Sequence, residues 1–297
     1  MKRVGFIGLG IMGYHMAANL VNAGYEVLAY DVVPACVERA AERGCVPCES
    51  IREVAEGCDV IVTMLPNSPH VKAVVLGAGG VLEHARPGTL IIDMSSIAPE
   101  ASREVERACR EKGVRMVDAP VSGGEPKAKD GTLAIMVGGE EADFERAKPY
   151  FEPLGSSCVL VGPIGSGNTC KLTNQVIVAV NIAALAEGLM LAKRAGADPE
   201  KVFNAIKGGL AGSTVMNAKA PMMLDGSFKP GFKIDLHIKD LSNALDTGYG
   251  TGTPLPLTAD VMQMMQVLRA DELGGADHSA LLKYYEKLTG TELRGQS

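Results

Sequence analysis

Lys171 is the residue whose type and surroundings best suit proton transfer. It lies near the start of a long apolar stretch, and Asn174 and Gln175 follow it on the same face of a helix. A lysine beside amide side chains in a mostly apolar helix can protonate a developing alkoxide, and burial can tune it for that task. The same position also fits an exposed lysine at a helix start. The five histidines follow no pattern typical of a catalytic base.

A second candidate site lies in Val121-Ser122-Gly123-Gly124, which follows a predicted strand at 115–119. Consecutive backbone N–H groups after a strand can form a concavity that binds an anion such as a carboxylate. A flexible turn has the same composition, so the residues alone leave both interpretations open.

A glycine loop near the N-terminus has the spacing GxGxxG, between a predicted strand at 4–7 and a predicted helix at 12–22. Its residues are Gly8, Leu9, Gly10, Ile11, Met12 and Gly13. In this context the three glycines allow a tight turn, close approach of a pyrophosphate and close packing of helix on strand. Phosphates are favoured at a helix N-terminus by free N–H groups and the helix dipole. Residues 4–31 are therefore predicted to form a β-α-β unit that holds a nicotinamide dinucleotide.

Asp31 ends the second predicted strand, 18 residues after Gly13. A carboxylate at this place accepts hydrogen bonds from the adenosine ribose hydroxyls and would repel a 2′-phosphate. Val32 and Val33 follow, with no arginine to bind that phosphate. The sequence thus favours NAD(H) over NADP(H), with a solvated turn residue as the alternative reading of Asp31.

The rest of the cofactor site is expected at the C-terminal ends of later strands, where ligands bind in open α/β sheets. Leu65-Pro66 and Ser95-Ser96 occupy such places. Each pair has a second explanation, because Leu-Pro can simply stop a strand and Ser-Ser can cap the helix that begins near Pro99.

Short apolar runs alternate with helical stretches in the first half of the chain. The predicted strands are VGFIG, EVLAYD, DVIVTML, TLIIDMS, RMVDAP and LAIMVGG. This alternation predicts a Rossmann-type α/β domain with a mostly parallel sheet, over residues 1–163. A stretch from 168 to 195 without proline predicts a long interdomain helix that opens an all-α domain over residues 164–297.

Local signals organise this second domain further. Asp198, Asp235 and Asp277 each precede a helical stretch and are predicted to cap it. The Met-rich stretch 261–268 is predicted to be core or interface. The apolar long helix predicts oligomerisation, because one small domain does not easily cover it.

Composition narrows the class of protein. The net charge of −6 and the absence of a Lys/Arg cluster argue against nucleic-acid binding. Glycines interrupt the apolar N-terminal stretch, and no apolar run reaches the roughly 18 residues that span a bilayer. A cytoplasmic protein with no membrane segment is therefore predicted.

The cysteines also agree with a cytoplasmic protein. Seven cysteines without a secretory context are expected to stay reduced. Cys45 and Cys48 form one CxxC, but no second ligand pair lies nearby, so no metal site is predicted. Ordinary thiols are favoured over a redox pair.

With these elements placed, the chain resembles the β-hydroxyacid dehydrogenase family over essentially its whole length. The resemblance rests on GFIGLGIMG at 5–13, DAPVSGGEPKAKDGTLAIMVGG at 118–139, GNTCKLTNQ at 167–175 and KIDLHIKDL at 233–241. Further stretches resemble the tartronate semialdehyde (2-hydroxy-3-oxopropionate) reductases in particular, namely TMLPNSPHVK at 63–72, IDMSSIAPEASRE at 92–104 and LRADELGGADHSAL at 268–281.

The resemblance implies roles for the candidate residues. Lys171 would be the general acid in reduction and the base in oxidation. The substrate carboxylate would be held by Ser122, Gly123 and Gly124. Asn174 or Gln175 would orient the substrate, and both stay candidates because some relatives carry Asn at the position of Gln175.

The resemblance also implies a set of cofactor contacts beyond the glycine loop. Ser96, Phe232 and Lys239 are implied in this way, and they add to Asp31, Leu65 and Pro66, which lie at predicted strand ends. Val32 stands where related reductases carry an arginine, which favours NAD(H) further.

The implied function is NADH-dependent reduction of tartronate semialdehyde, a small anionic substrate, to D-glycerate by a homodimer or homotetramer. Alternatives are a 3-hydroxyisobutyrate dehydrogenase and a glyoxylate or succinic semialdehyde reductase. A more distant alternative is a non-catalytic dinucleotide-binding module, which would be expected to have lost the lysine.

Overall fold

The computed structural model describes residues 2–294 and forms two compact units that divide after Lys171. The strands of the first unit are β1 (Arg3–Ile7), β2 (Glu26–Tyr30), β3 (Val46–Pro47), β4 (Val60–Thr63), β5 (Leu90–Asp93), β6 (Arg115–Asp118), β7 (Val121–Ser122), β8 (Leu133–Gly138) and β9 (Gly155–Gly162). Its helices are α1 (Ile11–Asn22), α2 (Pro34–Ala41), α3 (Ile51–Gly57), α4 (Ser68–Leu76), α5 (Val81–His84), α6 (Pro99–Glu111), α7 (Gly124–Asp130) and α8 (Glu141–Phe151).

The strands form one sheet in the order β3-β2-β1-β4-β5-β6-β8-β7, with β9 beside β8. From β3 to β6 every neighbouring pair is parallel, which is the Rossmann order. The predicted Rossmann-type domain with a mostly parallel sheet is confirmed.

The last part of the sheet departs from simple strand-helix alternation. β8 is antiparallel to β6 and β7, and parallel to β9. The connection from β7 to β8 has ten residues, 123–132, seven of them in α7, whereas a parallel crossover needs about a dozen or more. A short connection therefore reverses the chain direction, which the sequence pattern did not predict.

Both faces of the parallel sheet are buried, which explains why its strands are continuous apolar runs. On β1, Phe6 faces one apolar cluster, together with Met16 and Leu20 of α1. Its neighbour Ile7 faces a second cluster on the other side, together with Val105 of α6. This packing fixes the strand ends from which the candidate site residues emerge.

Helix α9 (Ser166–Arg194) begins in the first unit, and its remaining residues lie in the second. The other helices of the second unit are α10 (Pro199–Ile206), α11 (Thr214–Asp225), α12 (Ile234–Thr251), α13 (Pro256–Ala270) and α14 (Leu282–Thr289), with a short 3-10 helix at His278–Leu281. Among the described residues the second unit contains no strand, so the predicted all-α character is confirmed. The Met-rich stretch contributes Met262 and Met265 to the core, as predicted.

Two of the three predicted helix caps are confirmed. Asp198 accepts hydrogen bonds from two amides at the start of α10, and Asp277 caps the 3-10 helix. The prediction for Asp235 is wrong. Lys233 is the N-cap of α12, and Asp235 lies inside the first turn because the backbone at Lys233 already pairs with Asp277.

Helix α9 differs from one expectation of the sequence. By length and composition it is apolar enough to cross a membrane, although no run of that kind was predicted. Half of its most apolar stretch is buried within the protein, as in the core helix of a globular domain. Packing within the protein thus accounts for half of this stretch.

Candidate active site

The glycine loop has the geometry that a dinucleotide requires. Gly8 has φ +99°, and a Cβ there would lie 2.3 Å from the carbonyl oxygen of Met64. A Cβ on Gly13 would lie 1.9 Å from the Gly8 oxygen, whereas one on Gly10 would meet nothing within 4 Å. The first and third glycines therefore allow close packing, and the second leaves open space above the N-terminus of α1, where a pyrophosphate fits.

Asp31 is built into this loop. Its carboxylate accepts hydrogen bonds from the Leu9 N–H at 2.6 Å and the Val33 N–H at 2.9 Å. Asp31 is therefore more than a solvated turn residue, because it ties the end of β2 to the glycine loop. Each carboxylate oxygen has a second lone pair for a further donor such as a ribose hydroxyl.

Arg39 is a cation at the loop that the sequence did not single out. Its guanidinium donates a hydrogen bond to the Leu9 carbonyl at 3.2 Å and lies 4.4 Å from the centre of the Tyr14 ring. A positive charge here would complement a pyrophosphate at the glycine loop. Its signal in the sequence was weak, because arginines on helix surfaces are common.

Leu65 and the Ser95-Ser96 pair meet where β4 and β5 end. The Leu65 N–H donates to the Ser95 hydroxyl oxygen at 2.9 Å. Ser95 is buried and Ser96 half-buried. Neither serine caps α6, whose N-cap is Ala98, so that alternative is wrong. Pro66 is exposed just beyond the end of β4, which agrees both with a cofactor contact and with a residue that stops the strand.

Two buried carboxylates lie beside each other below these loops, Asp93 at the end of β5 and Asp118 at the end of β6. Burial raises the pKa of each to about 6. Hydrogen bonds from Ser95 and Thr63 to Asp93 offset part of that rise. Neither residue was predicted to matter.

We expect Asp93→Asn to change how stability depends on pH. An acid whose pKa rises from 3.8 to about 6 on folding contributes stability that is present below 3.8 and lost as the pH rises through 6. The variant lacks this loss. Its free energy of unfolding minus that of the wild type should therefore increase by up to about 3 kcal/mol between about pH 4 and about pH 7.5. Urea unfolding at the two pH values measures this, and a constant difference would contradict it.

The Ser122–Gly124 turn requires its glycines. Ser122 ends β7, Gly123 has φ +141° and Gly124 has φ +68°, both outside the range favoured by other residues. A Cβ on Gly123 would also lie 2.6 Å from the Lys127 side chain. The turn is thus a defined structure, and its binding of a carboxylate remains a prediction.

Lys171 lies in the second turn of α9 and is 6% exposed. The alternative of an exposed lysine at a helix start is therefore wrong. Lysine is rarely buried to this extent unless it is paired, and its role as a proton donor remains a prediction.

In the second unit three predicted residues are connected through Asp240 by two hydrogen bonds and one ion pair. The Asn174 amide donates to the Gln175 side-chain oxygen at 2.8 Å, and the Gln175 amide donates to Asp240 at 2.6 Å. Lys239 forms an ion pair with Asp240 at 3.0 Å. Asp240 was not predicted as a site residue. The two amides are therefore linked by a hydrogen bond, and which of them orients the substrate remains a prediction.

Phe232 packs on a buried histidine pair. Its ring centre lies 5.6 Å from that of His237 and 5.4 Å from that of His278, whose Nδ1 atoms are 2.9 Å apart. The Phe232 N–H also donates to the buried Asp277 carboxylate at 3.0 Å. The sequence does not predict this pair because its members are 41 residues apart.

No group of three or more metal-ligating side chains occurs within residues 2–294. All seven cysteines lie in this part of the chain and are free. Burial raises the pKa of Cys45 to about 11 and also raises that of Cys48, which is unlike a reactive thiol pair.

Two family descriptions match the chain. Residues 3–162 match the NAD binding domain of 6-phosphogluconate dehydrogenase. Residues 165–285 match the NAD-binding domain of NADP-dependent 3-hydroxyisobutyrate dehydrogenase.

Individual proteins match over nearly the full length. The 2-hydroxy-3-oxopropionate reductase of Escherichia coli (strain K12) is 44% identical over 98% of this chain and 99% of its own. The 2-(hydroxymethyl)glutarate dehydrogenase of Eubacterium barkeri is 41% identical over 99% and 98%. Among solved structures, Mycobacterium tuberculosis 3-hydroxyisobutyrate dehydrogenase with L-serine superposes with a TM-score of 0.91 at 35% identity, covering 96% of this chain and 99% of that one.

Proposed function

The chain belongs to the β-hydroxyacid dehydrogenase family of NAD-dependent oxidoreductases, and we propose that it reduces tartronate semialdehyde to D-glycerate with NADH. The observation that carries the choice of substrate is the 44% identity to a 2-hydroxy-3-oxopropionate reductase over 98% of the chain. The buried Lys171 supports a catalytic protein over a non-catalytic module.

The proposed cofactor site follows the glycine loop, with Asp31 at the ribose and with Leu65, Pro66, Ser96, Phe232 and Lys239 as further contacts. Bound NADH supplies the hydride. The loop geometry supports this, because no atom lies within 4 Å of the place that a Cβ on Gly10 would occupy, so the space above the loop is open. The exposed Val32 and Val33 offer no cation for a 2′-phosphate, which supports NAD(H) over NADP(H).

The proposed chemistry of the protein is proton transfer and orientation. Lys171 donates a proton from Nζ to the aldehyde oxygen as that oxygen gains negative charge, and takes it back in the reverse direction. The substrate carboxylate is bound by Ser122, Gly123 and Gly124. Asn174 and Gln175 orient the polar groups of the substrate.

A panel of substrates tests the proposed function. Values of kcat/KM are compared for tartronate semialdehyde, glyoxylate and succinic semialdehyde in reduction, and for 3-hydroxyisobutyrate, L-serine and 2-(hydroxymethyl)glutarate in oxidation. We expect the highest value for tartronate semialdehyde. The similarity to a 3-hydroxyisobutyrate dehydrogenase structure makes that activity the second candidate. A higher value for another substrate would refute the proposed one, and no turnover with any would favour the non-catalytic module.

We expect Asp31→Ser to weaken use of NADH. Charge-assisted hydrogen bonds of this kind contribute about 1.5–3 kcal/mol, so the KM for NADH should rise by at least about tenfold with little change in kcat. The KM for NADPH should fall, because the charge that repels a 2′-phosphate is removed. Steady-state kinetics with both cofactors measures this, and Asp130→Ser, at the exposed end of α7, is the control. An unchanged NADH/NADPH preference would contradict the role of Asp31.

We further propose that the protein works in the cytoplasm as a homodimer or homotetramer. The face of α9 that includes Ile177, 55% exposed, and Leu191, 71% exposed, supports association. Light scattering on the purified protein decides it, and a monomer at micromolar concentration would refute it.

A further inference from the structure

The buried Asp118 carboxylate caps the start of α9. Its Oδ1 accepts a hydrogen bond from the Gly165 N–H and its Oδ2 one from the Asn168 N–H, both at 2.7 Å. The first N–H groups of a helix have no partner within the helix, so an acceptor must come from elsewhere. Here it comes from the end of β6, 47 residues earlier in the chain.

Asn168 extends this connection to another loop. Its side-chain oxygen accepts from the Ile97 N–H at 2.9 Å, and its amide donates to the Ser102 hydroxyl at 3.1 Å. Asn168 is fully buried. Through Asp118 and Asn168, the end of β6, the loop after β5 and the first turn of α9 are therefore held as one rigid piece.

The space around the carboxylate allows no other arrangement. A Cβ on Gly138 would lie 2.4 Å from Oδ1 of Asp118, and a Cβ on Gly167 would lie 2.9 Å from Oδ2. Neither glycine has a φ that demands glycine, so what their lack of a side chain provides here is close approach. The two glycines thus let the backbone enclose Asp118 completely.

Each part of this piece leads directly to a proposed site residue. Lys171 is three residues after Asn168 on the same face of α9, and the Ser122–Gly124 turn follows Asp118 after three residues. Ser96 immediately precedes Ile97. We propose that Asp118 and Asn168 are positioning residues, which fix Lys171 relative to the turn that binds the substrate carboxylate. This inference rests on the proposed function for the role of Lys171.

Asp93 provides a matched control for Asp118. Both carboxylates are fully buried and pair in register on neighbouring strands. In Asp93 only Oδ1 accepts hydrogen bonds, from the Thr63 hydroxyl at 2.8 Å and the Ser95 N–H at 3.2 Å. An asparagine at 93 keeps both bonds, whereas an asparagine at 118 sets an N–H donor against one of two backbone N–H groups.

The first test compares turnover of Asp118→Asn and Asp93→Asn. We expect Asp118→Asn to lower kcat by about 100-fold with the Kd for NADH unchanged, because misplacing a reacting group costs about that factor. Asp93→Asn should stay within about threefold of the wild type. Asn168→Ala keeps the hydrogen bond from its backbone N–H to Asp118 but loses those of its side chain, and it should lower kcat by about tenfold. This variant is measured in place of Asp118→Asn if Asp118→Asn does not fold.

The second test separates positioning from a merely structural role. If Asp118 acts through Lys171, Asp118→Asn should lower kcat little further when Lys171 is already alanine. The same factor in both backgrounds would overturn the proposal, as would equal losses in Asp118→Asn and Asp93→Asn.

The third test does not depend on turnover. Pulse labelling with acetic anhydride, read by mass spectrometry, gives the reactivity of Lys171 relative to the exposed Lys112. We expect Asp118→Asn to change this ratio several-fold and Asp93→Asn to leave it unchanged. An unchanged ratio in Asp118→Asn would overturn the positioning role. If the wild type turns over no substrate of the panel, the proposed function fails while this test still decides the inference.

Discussion

Lys171→Ala is expected to lower kcat for tartronate semialdehyde by about a thousandfold, within the range of 10²–10⁴ typical for loss of a general acid. The alkoxide formed by hydride transfer would then have to take its proton from water, in a site arranged for a lysine. Binding of NADH should be unaffected, because the proposed cofactor contacts, which include the glycine loop and Asp31, do not include this residue. Steady-state turnover and a fluorescence titration with NADH measure the two quantities separately.

Two further variants make this prediction specific. Lys171→Arg keeps a positive charge, but a guanidinium does not give up its proton near neutral pH, so we expect a loss almost as large. Lys112→Ala, at the exposed end of α6, should retain wild-type kcat. Near-normal turnover of Lys171→Ala would remove the lysine from the mechanism. Good turnover of Lys171→Arg would show that charge, and not proton transfer, is what the residue supplies.

The parts of the fold that follow from local sequence were predicted well. The GxGxxG loop, its flanking strand and helix, and the long helix are encoded by neighbouring residues, and they appear within two residues of the expected bounds. β3 and β7 were missed because two residues are too few to show a period, and the eight-residue β9 was not predicted either. The reversal at β8 was missed because strand direction depends on the connection and leaves no mark on the strand itself.

The site divides in the same way. The sequence singled out Lys171 and the Ser122–Gly124 turn, but it left open whether either was built into the structure, since burial depends on residues far along the chain. Asp118 begins the motif DAPVSGG, and a carboxylate at the end of a buried strand is a signal in the sequence that points to it. Its partners Gly165 and Asn168 could not be inferred, because only the folded chain brings them within 2.7 Å.

Asp277→Asn is expected to lower the free energy of unfolding by about 3–5 kcal/mol, the usual cost of breaking a buried ion pair. The carboxylate is fully buried, and Lys219, with only 15% of its side chain exposed, donates to both of its oxygens at 2.9 and 3.1 Å. The Gly231, Phe232 and Ser279 N–H groups donate to it as well. An asparagine leaves the ammonium without a counter-charge and offers an N–H where only acceptors fit.

The pKa of Asp277 determines where in pH this effect appears. Burial acts to raise the pKa, but His278, the amide donors and Lys219 outweigh burial and hold it well below the usual range. A lowered pKa means that the stabilisation is present above about pH 4 and is lost only at more acidic pH. The carboxylate itself is therefore ionised at about pH 5 as well as at about pH 7.5, and the loss of stability in Asp277→Asn should already be present at about pH 5.

Asp271→Asn is the control for Asp277→Asn, because the same kind of pair is exposed there. Lys287 donates to both Asp271 oxygens at 2.9 and 2.7 Å, yet the two side chains are 58% and 39% exposed. Water solvates both exposed groups when the pair is broken, so the free energy of unfolding should fall by less than about 1 kcal/mol. Equal losses in the two variants would mean that burial is not what gives the Asp277 pair its strength. A large loss in Asp277→Asn alone would support a role for this carboxylate in holding the segment that carries Phe232. The carboxylate accepts a hydrogen bond from the Phe232 N–H, and the Phe232 ring packs on His237 and His278.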